Sequence, residues 1–168
     1  MNTNYHIAQI NIAQMRGPLE SLVMEGFVAR LDEINALADR SPGFVWRLET
    51  EEGDATSIQA FDDPLMLVNM SVWDGIEALH AFIYRSTHLQ LLQGKRSWFK
   101  KPVKPHLALW WIAAGHEPSV VEAKARLELL QDQGPGPDAF TFSQRYPVPT
   151  TGRFRQPLTD LSECPLNS

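Results

Sequence analysis

The sequence predicts an α+β domain with a four-stranded antiparallel sheet in the order β-α-β-β-α-β, the ferredoxin-like arrangement, followed by an extra C-terminal helix. Three observations carry that prediction. Runs that alternate apolar and polar residues are interleaved with longer runs at helical spacing. Their order is that of the split βαβ motif. At 168 residues the chain has room for one sizeable core, not two.

Taken in order, Ile7 to Ala13 reads as the first strand, with Ala8, Ile10 and Ile12 on one face and Ile7, Gln9 and Asn11 on the other. Gly17-Pro18 breaks it. A helix follows from about Leu19 to Ala38, marked by Leu19, Val23, Phe27, Ile34 and Ala38, and Ser41-Pro42-Gly43 stops it. Phe44 to Leu48 reads as the second strand, with Phe44, Trp46 and Leu48 on one face. The stretch from Glu49 to Pro64 is acidic and turn-rich, with room for a short strand at Ser57 to Phe61. Leu65 to Trp73 is the next strand, its faces Met66, Val68, Met70, Val72 and Leu67, Asn69, Ser71, Trp73.

Asp74-Gly75 opens a helix with an apolar stripe of Ile76, Leu79, Phe82 and Ile83. Tyr84 to Thr87 reads as a break, and Ser86 or Thr87 is placed to cap a short helix from His88 to about Gly94. Leu107 to Ala113 is apolar on both faces, the mark of a strand buried from both sides. Ser119 and Glu122 form the sequence signature of a capping box before a helix from Val120 to Gln133, and Gly134 supplies its stop. Ala139 to Phe142 follows as a docking extended segment, which places the domain at residues 1–143 and a Pro-rich, loosely held tail at 144–168.

Composition excludes several classes of function. A net charge of −5 argues against nucleic acid, which needs a concentrated basic surface. The densest basic cluster is Lys95, Arg96, Lys100, Lys101 and Lys104, which reads as a cap or rim. One cysteine, Cys164, permits neither an internal disulfide nor a cysteine-based zinc site. The N-terminal residues lack the basic and apolar regions of a secretory signal, and no apolar run reaches the ~20 residues of a membrane span. A cytoplasmic location is the expectation.

The sheet has a mixed face, on which Gln9, Asn11, Asn69 and Ser71 stand beside Leu67 and Trp73. With helices on only one side, such a face predicts a homodimer that buries it against a second copy. The alternative is cover by the C-terminal helix and Phe140 to Phe142.

No nucleophile elbow, zincin helix, EF-hand or dinucleotide fingerprint is present. The five histidines do not pair at metal-ligand spacing. His88 stands out, starting a short helix near Phe82, Tyr84, Arg85, Trp98 and Phe99. At such a place an imidazole ligates a haem iron, acts as a general base or caps the helix. The five tryptophans fit either bulky packing or the walls of a planar ligand's site.

The run Asn69-Met70-Ser71-Val72-Trp73, then Ala78 to Tyr84, His88, Trp98-Phe99 and Leu109-Trp110-Trp111 continues through Gly115, Pro118, Glu122, Arg126-Leu127 and Ala139 to Phe142. Over about residues 5 to 143 it resembles a bacterial family known only as a domain of unknown function and grouped with dimeric α/β-barrel proteins. The resemblance implies that fold and a dimer. The stretch Trp73 to His88 is also similar to spheroidene monooxygenase-type carotenoid oxygenases, regarded as haem proteins. That likeness implies a monooxygenase-like enzyme with His88 as axial ligand and Arg85 beside a propionate. In the cofactor-free manner of antibiotic-biosynthesis-type monooxygenases, Asn69, Trp73 and His88 would instead position a substrate. Either way the expected ligand is a small apolar or planar molecule walled by Trp73, Phe82, Tyr84 and Trp111. A non-catalytic ligand-binding dimer is the alternative.

Overall fold

The computed structural model describes residues 4–49, 56, 58–85 and 94–149. Strand β1 spans Tyr5–Gln14, and a 3-10 turn at Leu22–Met24 leads into helix α1, Glu25–Asp39. Strand β2 is Phe44–Arg47, β3 is Met66–Trp73, and helix α2 is Ile76–Arg85. A four-residue helix α3, Lys95–Trp98, precedes β4, Leu107–Ala113, and helix α4, Val120–Gln133. The sheet order is β2-β3-β1-β4 and every pairing is antiparallel. That is the ferredoxin-like arrangement the sequence predicts.

Local chemistry sets most boundaries. Gly17, Pro18 and Ser21 keep the chain out of an α-helix until Glu25, later than the predicted start near Leu19; the Ser21 hydroxyl donates back to the Pro18 carbonyl and holds that turn. Gly43 takes a positive φ of 84°, and a Cβ there would run into Ala78 and Asp74, so only glycine fits between α1 and β2. At α4, the Ser119 hydroxyl accepts from the Glu122 N–H at 3.0 Å, and Gly134 ends the helix at φ 76°. Only half of the predicted capping box forms. The Glu122 carboxylate turns into the core instead, where Oε2 accepts from Trp110 Nε1 at 3.0 Å and Oε1 meets His116 Nε2 at 2.7 Å.

Two other expectations are corrected. A bulge between Phe44 and Trp46 shifts the β2–β3 register, setting Phe44 beside Trp73 but Trp46 beside Val72. The two rings therefore serve opposite faces of the sheet. Residues 58–61 form no strand; Ile58, Ala60 and Phe61 pack as irregular chain against one sheet face. Ser57, residues 50–55 and the predicted helix His88 to Gly94, apart from Gly94 itself, lie outside the described residues.

The largest correction concerns the layers. Ala8, Ile10, Val68, Met70, Val72, Ala108 and Trp110 form one sheet face, apolar apart from His6 at its end, and buried under α4 with Leu127 and Leu130. The other face carries Ile7, Gln9, Ser71, Trp73 and Leu109 and lies under α1 and α2. The mixed face is thus the covered, helix-facing side, and the face left over is covered by the chain's own α4. Sheet-to-sheet pairing loses its premise, because the sequence pattern shows which residues share a face but not which helix reaches it. Phe140 packs on the mixed face instead, exchanging both backbone hydrogen bonds with Leu109 at 2.8 and 2.9 Å.

Candidate functional site

Between the mixed face and helices α1 and α2 lies a cavity of about 490 Å³. Its floor is built by register: Gln9 stands opposite Ser71 on β3, and Asn11 opposite Asn69. The alternation of a strand sends all four side chains to one side. Gln9 Nε2 donates to Asn69 Oδ1 at 2.8 Å and to Ser71 Oγ at 2.9 Å, and Trp73 Nε1 donates to the same Ser71 oxygen at 2.9 Å. These bonds knit β1 to β3 below the cavity.

One polar group on this floor stays unmatched. Gln9 is 4% exposed, and its Oε1 has no hydrogen-bond partner among the described residues. Turning the amide over changes which edge is left without a partner, not the fact. A buried unsatisfied group costs about 1–3 kcal/mol, so the floor carries a polar position that the described residues leave unmatched.

The walls are aromatic and aliphatic. Trp73, fully buried, stacks on Phe82 with ring centroids 5.1 Å apart and meets Phe44 edge-on. Helix α1 contributes Phe27, Leu31 and Ile34, and Phe99, bridged to Met15 along the β4-side edge of β1, lines the far end. Tyr84 lines the cavity from α2 but is half-exposed, its ring held between His80 and Phe142. From Trp73 to Asn69 the floor passes from dry to solvent-exposed.

Lys95, Arg96 and His106 lie beyond the amides. His106 neighbours Leu107, which pairs with Asn11, and its carbonyl accepts from the Ile12 N–H at 2.9 Å. Its ring is open to solvent on one side. Burial on the other, and then the charge of Lys95, hold its pKa below 6.5. Arg47 also reaches the cavity, but Asp39 at 2.7 Å and Glu49 at 3.2 Å match its charge.

Of the residues singled out from sequence, Asn69, Trp73, Phe82 and Tyr84 come together here. Trp111 does not. Ile7 separates it from Trp73 across the sheet, and its Nε1 donates to the Tyr146 carbonyl at 2.9 Å beside a shallower hollow with Tyr5 and Arg145. His88 and the Arg85 side chain lie outside the described residues. Gln9, Ser71 and His106 are site residues that motif reading missed. The first two were visible as polar interruptions of buried strands, a signal of position without any signal of role.

The residue types bear on a haem. Its iron takes His, Cys, Met or Tyr as axial ligand, and among the described lining residues only Tyr84 and His106 qualify, both of them solvent-exposed. The described floor therefore supplies no axial ligand, and a haem would depend on His88. Among the described residues no cluster of His, Cys, Asp and Glu could hold a metal ion, and no helix is long and apolar enough to cross a membrane.

A family match covers residues 6–156 and is described as a domain of unknown function (DUF3291). The chain belongs to the DUF3291 family. A comparison with curated proteins finds no match. Among solved structures, the DUF3291 chain is similar to SnoaB, a cofactor-independent oxygenase from Streptomyces nogalater. That alignment has 17% identity and a TM-score of 0.42, covering 67% of this chain and 95% of that one. It is also similar to a candidate antibiotic biosynthesis monooxygenase from Chloroflexus aurantiacus, at 13% identity and a TM-score of 0.41, covering 68% and 98%. A protein of unknown function from Nitrosomonas europaea aligns at 11% identity and a TM-score of 0.42, covering 70% and 99%. At such scores the fold assignment rests on strand order and pairing.

Proposed function

We propose that this protein takes a small, planar, largely apolar molecule into the cavity over the mixed sheet face and acts on it as a monooxygenase-like enzyme. The observation that carries the reading is the combination of aromatic walls and an amide floor at about 490 Å³. Ligand sites typically run ~300–1,000 Å³, mostly apolar, with a few placed polar groups. Phe82, backed by the buried Trp73 ring, offers a face for stacking, while Asn69, Gln9 and Ser71 fix orientation by hydrogen bonds. In the cofactor-free form the substrate itself supplies all four electrons that reduce O₂: a CH₂ group and O₂ give a carbonyl and water. The chain's part is then to orient that carbon in a water-poor space. A homodimer belongs to this proposal only through surfaces other than the sheet faces, both of which the chain covers itself.

The test combines binding and turnover. Tryptophan fluorescence during titration with two- and three-ring aromatic compounds should show quenching that Trp73→Phe weakens. For a compound that consumes O₂ in an electrode cell, Asn69→Ala should lower turnover by about tenfold or more, the scale of a lost positioning contact. No quenching by any compound would remove the proposal.

One observation favours a second reading, a non-catalytic binding protein. The described floor holds amides, a hydroxyl and an indole but no titratable group to serve as a base. Binding without O₂ uptake would select that reading. A Soret band lost in His88→Ala would instead bring haem back.

A further inference from the structure

We infer that the molecule taken by this cavity is an anion, a planar aromatic carboxylate whose ring lies against Phe82, with Trp73 stacked behind it, and whose acid group faces Lys95, Arg96 and His106. The inference rests on the cavity reading above and names its substrate class.

The charge distribution carries it. The chain has 20 Asp and Glu against 15 Lys and Arg, yet no acidic side chain lines the cavity among the described residues, while three basic ones and a histidine do. Arg47 is matched by Asp39 and Glu49. No carboxylate pairs with Lys95 or Arg96 among the described residues, and both are exposed at the cavity. Positive charge without an acidic counterpart therefore borders this cavity on an acidic protein.

Its position is specific. Dryness, amides and cations follow one another along the cavity, from fully buried Trp73, through Gln9, Asn11 and Asn69, to Lys95, Arg96 and His106. That sequence is complementary to a molecule apolar at one end and anionic at the other. The Gln9 amide, buried with one edge unpartnered, adds a hydrogen-bonding group midway along the path. A neutral planar molecule would satisfy the walls and leave the cations idle. The depressed pKa of His106 agrees, since after burial the charge of Lys95, unpaired with any carboxylate among the described residues, contributes to it.

The experiment is isothermal titration of the full chain at low salt with 2-naphthoate and with naphthalene-2-carboxamide, which matches it in shape but carries no charge. Naphthoate should bind about tenfold more tightly, the scale of one charged hydrogen bond. In Lys95→Glu/Arg96→Glu that preference should vanish while carboxamide affinity stays within about twofold. Both positions are exposed, so folding is not at risk. By NMR, naphthoate should raise the His106 pKa and carboxamide should leave it in place. Equal binding of the two compounds to the wild type overturns the anion assignment while leaving the cavity reading intact. Binding of neither overturns both.

Discussion

His106 and Glu122 show how two ionisable side chains in one small domain meet different ends. His106 sits at the cavity with Lys95 nearby, and burial followed by that charge keeps its pKa below 6.5. The folded state thus holds the proton less tightly than the unfolded chain. Stability contributed at this site is present above 6.5 and is lost as pH falls through 6.5 toward the lowered folded value. The urea midpoint should therefore fall from about pH 7.5 to about pH 5 more steeply in the wild type than in His106→Gln; equal slopes would show that His106 does not titrate differently on folding. Glu122 is only 2% exposed, yet it has Trp110 and His116 on its two oxygens. Sequence marks it as a cap residue, whereas packing turns it inward, because a buried indole N–H needs an acceptor more than a helix end open to water does.

Elements were the most legible level. Strand alternation and helix punctuation place β1, β3, β4 and α4 nearly where the structure has them, since period, glycine and capping are local properties. Helix α4 is the clearest case, opening at Ser119 and closing at Gly134. Ser119→Ala should destabilise the protein by about 1 kcal/mol and Ser119→Asp much less, as the lost contact is one side-chain bond to the Glu122 N–H. Denaturant unfolding measures both, and equal losses would assign the effect to something other than capping. Helix α3 had no such signal. Its four residues are held by tertiary packing of the Trp98 ring against Phe27, with Gly26 and Gly94 so close that a Cβ on either would crowd the indole. The 58–61 segment misled in the opposite way, because apolar residues that dock as coil alternate as a strand's would.

Across the whole molecule the arrangement is three layers, with α1 and α2 on the mixed face and α4 on the apolar one. The site depends on that assignment: the polar strand residues line a cavity under α1 and α2, open at its Asn69 end, rather than a surface offered to a twin. Leu127 is fully buried between α4 and the sheet. Leu127→Ala should cost about 2–5 kcal/mol, seen as a lower urea midpoint with an unchanged slope. The mass by light scattering should not change. A fall in mass instead would mean that this face joins two copies.

By itself the sequence determined the α+β class, the order of the elements and the set of side chains that share each strand face, because these follow from backbone periodicity and local turn chemistry. Tertiary structure alone decided which face each helix covers, that Trp111 leaves the site while Gln9, Ser71 and His106 join it, and that Lys95 and Arg96 border the cavity. Those are contacts between residues tens of positions apart, set by how layers fill space, and no local pattern encodes them.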